Sequence, residues 1–78
     1  MRVNDTSTAA QRQRAAKHLK EHGSLSTPQA RRDLNIMMPA ARIHELKRAG
    51  LNIEKIMVRE ESENGHTHRF ARYFLKNE

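Results

Sequence analysis

The chain has 78 residues, no cysteine, and 15 Lys and Arg against 9 Asp and Glu, a formal charge of +6. That length allows one domain with a small core, and the missing thiols exclude a disulfide or Cys-bound metal and fit a reducing cytosol. With no long apolar run we expect neither a membrane span nor a signal peptide, and we expect a cytoplasmic protein.

The charge is uneven. Residues 1–50 hold ten basic and four acidic residues, whereas residues 51–78 hold five of each. A basic patch confined to one part of a small chain favours a polyanion, nucleic acid before membrane. With only Phe70, Tyr73 and Phe74 aromatic, the core must be built mostly from Ile, Leu, Val, Met and Ala.

The first eight residues are polar and without period, and read as a flexible tail ahead of a domain over 9–78. Strong helix formers with Ala15, Ala16 and Leu19 at helical spacing then predict a first helix over about 9–22, stopped by Gly23. Ser26 with Gln29 three positions on is a capping-box pattern, and Pro28 suits a first helical turn. A second helix is expected over 27–34, with Asn35 ending it in the left-handed conformation. Pro39 opens a third helix over about 39–49 that Gly50 closes, with Ile43 and Leu46 facing inward. The period then changes to strands over about 52–60 and 68–76, joined through Asn64-Gly65, a hairpin dipeptide. Ser24-Leu25 can add a short third strand at the sheet edge.

Two short helices joined by a tight turn and followed by a hairpin resemble the winged helix-turn-helix family, particularly its small phage and bacterial single-domain members. Ser26-Thr27-Pro28-Gln29-Ala30, Leu34-Asn35-Ile36, Pro39 to Leu46 and Arg69 to Leu75 carry the resemblance. The fold it implies is α+β: three helices and then a two-stranded wing. The function it implies is double-stranded DNA binding, with helix 3 in the major groove. On that basis Arg42 is the expected base reader, because its guanidinium matches guanine O6 and N7. Glu45 can accept from cytosine, and Met38 and Ala41 can meet thymine methyl groups. Thr27, Gln29, Arg31, Arg32, Lys47 and Arg48, with His66, His68 and Arg69 from the wing, are the expected phosphate contacts. The competing reading of Arg42, Glu45 and Arg48 is a solvated face with intrahelical ion pairs.

The hairpin has two semi-apolar faces. Ile56 and Val58 are expected beside Ala71, Tyr73 and Leu75 on the core side. Ile53, Met57, Phe70 and Phe74 are expected on the other side, where Met57, Phe70 and Phe74 would form a contact surface between copies of the chain. No nucleophile stands beside a base and no glycine loop cradles a phosphate. The two wing histidines of Gly65-His66-Thr67-His68 read as solvated. We therefore expect no catalysis, no cofactor, no metal and no small-molecule substrate. A transcriptional regulator, a repressor above all, is the leading reading. An excisionase-like recombination factor and a protein-interaction module are the alternatives.

Overall fold

The computed structural model describes residues 7–76; the expected tail lies outside the described residues over 1–6. Ser7 accepts a hydrogen bond from the Ala10 N–H and so caps α1, Thr8–His22. Gly23 closes that helix with φ 84°, its N–H returning to the Leu19 carbonyl at 2.8 Å. The chain continues through β1, Ser24–Ser26, straight into α2, Thr27–Asp33. Ser26 ends the strand and caps the helix at once, its Oγ accepting from the Gln29 N–H at 3.2 Å. Asn35 takes φ 52°, and the turn leads to α3, Pro39–Arg48. β2, Ile53–Glu61, and β3, Thr67–Leu75, form the wing.

The sheet is antiparallel in the order β1-β3-β2, so the short edge strand expected at Ser24-Leu25 is present and the last strand lies in the middle. Leu19 from α1, Leu25 from β1, Ala30 from α2, Ile36 from the turn, Ile43 and Leu46 from α3, and Ile53 and Tyr73 from the wing bury together into one core. Every element contributes, which is how a chain of this size closes a core with one buried aromatic ring.

The wing register differs from the expected one. Ile53 pairs with Leu75, Lys55 with Tyr73, Met57 with Ala71, Val58 with Phe70 and Ile56 with Arg72. Residues directly opposite share a face, so Ile53, Lys55 and Met57 lie on the core side with Tyr73, while Ile56 and Val58 lie outside with Phe70 and Phe74. The reason is the tip: Glu61 pairs with Thr67, leaving a five-residue loop over 62–66. Moving a register by one residue turns every side chain to the other face. Met57 therefore does not belong to a surface with Phe70 and Phe74, although at 57% exposure it is open to solvent.

Candidate nucleic-acid interface

Helix α3 presents three kinds of side. Pro39, Ile43 and Leu46 are buried. Ala40, His44, Lys47 and Arg48 form an exposed stripe at i, i+4, i+7 and i+8. Between these sides, Arg42 and Glu45 turn toward α1. Arg42 Nη2 donates to Glu45 Oε2 at 3.0 Å, and its Nε lies 3.0 Å from Oε1 without pointing its N–H at it. Arg12 Nη1 of α1 donates to the same Oε1 at 3.0 Å. The Arg42 side chain keeps only 11% of its surface exposed and that of Glu45 35%.

The outer face of α3 is thus rotated from the expected one. Grouping Pro39, Ala40 and the Lys47 stem with Ile43 and Leu46 on the inner side puts Glu45 on the far side, whereas Ala40 and Lys47 are exposed. In the folded protein α1 also packs along α3 and covers the Arg42–Glu45 side. What remains open is centred on Ala40 and His44. Of the four expected base contacts, Met38 is 64% exposed, Ala41 is half-buried, and Arg42 and Glu45 are engaged with each other and with Arg12. His44, not among the expected site residues, lies one turn from Ala40 on the open side.

The angle at which α3 leaves the turn is held by two buried polar residues of α1. Gln11 Oε1 accepts from the Met37 N–H at 3.3 Å. Arg14 donates from Nε to the Leu34 carbonyl at 2.6 Å and from Nη2 to the Asn35 carbonyl at 3.2 Å. A cation at the C-terminal end of α2 is favoured by the exposed carbonyls and the helix dipole. These contacts tie the turn to the first helix, outside the helix-turn-helix itself.

Two basic grooves flank the wing. One, of about 190 Å³, lies between α3 and β2 and brings His44, Lys47 and Lys55 together over Ile43, Ile53 and Tyr73. Lys55 was not among the expected site residues, because only the true register puts it on the α3 side of the hairpin. The other, of about 410 Å³, joins Thr27 and Arg31 of α2 to His68 and Arg69 of β3, with Glu60 beside them. The Thr27 hydroxyl donates to the Ala71 carbonyl at 3.3 Å and so docks α2 on the wing. Arg32 is exposed and forked on Asp33 at 2.9 and 3.2 Å; that hydrogen-bonded pairing raises the Arg32 pKa and lowers that of Asp33. Gln29 is half-buried, Arg48 and His66 are exposed, and no cluster of metal-binding side chains occurs among the described residues. No described helix is long and apolar enough to cross a membrane.

A three-helix domain with a wing flanked by basic grooves is a winged helix-turn-helix domain. A family model of that description, the winged helix-turn-helix domain, matches residues 10–78, and the chain belongs to this family. Such a domain is a DNA-binding fold, and DNA binding is the general function that membership carries. No curated protein matches the chain at a significant level.

Proposed function

We propose that the protein is a sequence-specific double-stranded DNA-binding regulator of phage or bacterial type, acting as a repressor at the nucleoid, with α3 in the major groove and the wing on the backbone. The observation that carries this reading is the stripe Ala40, His44, Lys47 and Arg48. Two small residues at its start, Ala40 and Ala41, let the helix approach the groove floor. His44 one turn later can donate to the N7 and O6 acceptors that line the major groove. Lys47 and Lys55, with the exposed Arg48, lie where phosphates would pass, as do Arg31 and Arg69 on the other side of the wing. In this arrangement His44 takes the base-reading role first expected of Arg42, because Arg42 would have to leave Glu45 to reach a base.

A binding selection from random duplexes tests this. The expected outcome is a defined site. His44→Ala should lose about 1–3 kcal/mol on that site and relax the choice at one position, whereas Lys47→Ala should weaken all sequences alike. Failure to bind any duplex in a salt-dependent way would remove the DNA reading.

A further inference from the structure

On the face of the sheet turned away from the core, β1 adds Ser24 and the buried Ser26 beside Phe74 and Arg72. There α2 reaches only the His68–Phe70 end, through Thr27, Pro28 and Arg31. The residues between form a pattern. On β2 this face carries Glu54, Ile56, Val58 and Glu60; on β3, directly opposite these, it carries Phe74, Arg72, Phe70 and His68. Four apolar side chains therefore surround Arg72. Ile56 is 46% exposed, and Val58, Phe70 and Phe74 are half-buried. Arg72 is itself half-buried and donates to Ser24 Oγ at 3.3 Å, but it has no carboxylate partner among the described residues. Glu60 likewise has no ion-pair partner there, and Glu54 holds only the half-exposed Lys76, at 3.3 Å. The β2 row is acidic at both ends and the β3 row is basic.

We infer that this face is the dimer interface of the protein, occupied by the same face of a second copy through a two-fold axis parallel to the strands. Sheets pack face to face with nearly aligned strands about 10 Å apart, and a two-fold contact must be self-complementary. An axis along the strands lays β2 of each copy over β3 of the other. Levels along the strands are kept, so Glu60 then meets the partner's His68, Val58 the partner's Phe70 and Ile56 the partner's Arg72. Glu54 lies over the partner's Phe74, one pair along from the partner's Arg72. The partner's Glu54 thus lies diagonal to Arg72, within the span of an arginine side chain, at the rim of an apolar centre. The other in-plane two-fold, across the strands, lays β2 over β2 and sets Glu54 against the partner's Glu60. Charge alone therefore selects the first axis.

A second consideration selects the same axis, and this one rests on the DNA reading. Rotation about a line parallel to the strands keeps both Asn64-Gly65 wing tips pointing the same way, as two wings on one duplex require. Rotation across the strands points them in opposite directions. The matching DNA site is an inverted repeat, because protein and site share the two-fold.

Sedimentation equilibrium of the full chain without DNA tests the interface, and a comparison of duplexes tests the axis. The free protein should sediment at twice its 9.1 kDa. Ile56→Lys, at an exposed position, should weaken dimerisation by about tenfold or more, since each copy then sets an ammonium group over the partner's Arg72. Its thermal unfolding by circular dichroism should stay close to that of the parent. Arg72→Glu should weaken the dimer, and Glu54→Arg combined with Arg72→Glu should restore it. A monomer at every concentration, or a dimer indifferent to Ile56→Lys, would overturn the interface. Among duplexes, an inverted repeat of the selected half-site should be bound more tightly than a direct repeat; the reverse preference would overturn the axis. A dimer that binds no duplex would count against the DNA reading and leave the interface standing.

Discussion

Arg42 shares a helix with His44 and Lys47, yet its guanidinium serves the packing of α3 on α1 and not the open groove. It and Arg12 converge on one carboxylate, Glu45. Hydrogen bonds to charged groups are worth more than neutral ones, but Glu45 is a third exposed and solvent screens part of the gain. Arg42→Ala should therefore lower stability by about 1–2 kcal/mol in urea unfolding while leaving the preferred DNA sequence unchanged in the selection. Unchanged stability with relaxed sequence choice would return the base-reading role to Arg42. The i,i+3 pairing of Arg42 with Glu45 was legible in the sequence. The third member was not, since Arg12 is 33 positions away from Glu45 and no local pattern connects them.

The elements were legible wherever a local device marks them. Ser26, Pro28, Asn35, Pro39 and Gly50 bound the helices to within a residue or so, and Asn64-Gly65 locates the wing, because capping and turn chemistry act over three or four positions. The wing register was not legible, since it depends on how many residues the tip leaves unpaired, and that single count decides which face holds Ile56 and which holds Lys55. The support of the turn was hidden for another reason. Gln11 and Arg14 look like solvent-facing residues of a polar helix, and only the folded arrangement buries them against the 34–37 segment. Arg14→Ala removes a buried cation from two carbonyls at the end of α2 and should cost about 2–3 kcal/mol in chemical denaturation. Arg14→Lys should recover little of this, because a lysine cannot offer two donors in a fixed fork. Full recovery by lysine would mean that charge at the helix end, and not the fork, holds the turn.

At the scale of the molecule the net charge of +6 and the grooves on either side of the wing act together. If roughly 4–6 phosphates are engaged per protomer, log K should fall with log salt at a slope of about −4 to −5, measured by titration of a duplex at several salt concentrations. A slope near zero would mean that the basic excess serves solubility instead. The strand order also bears on how the protein is made. β1 and β2 are not hydrogen-bonded to each other; both pair only with β3, which follows them in the chain. While the chain emerges from a ribosome, the helices can form as they appear, but neither earlier strand has a partner until residues 67–75 are free. The hydrophobic side chains of Leu25 and Ile53 wait with them. Assembly of the domain is thereby a late and concerted event, and a nascent chain interrupted before β3 exposes two unpaired strands to its neighbours.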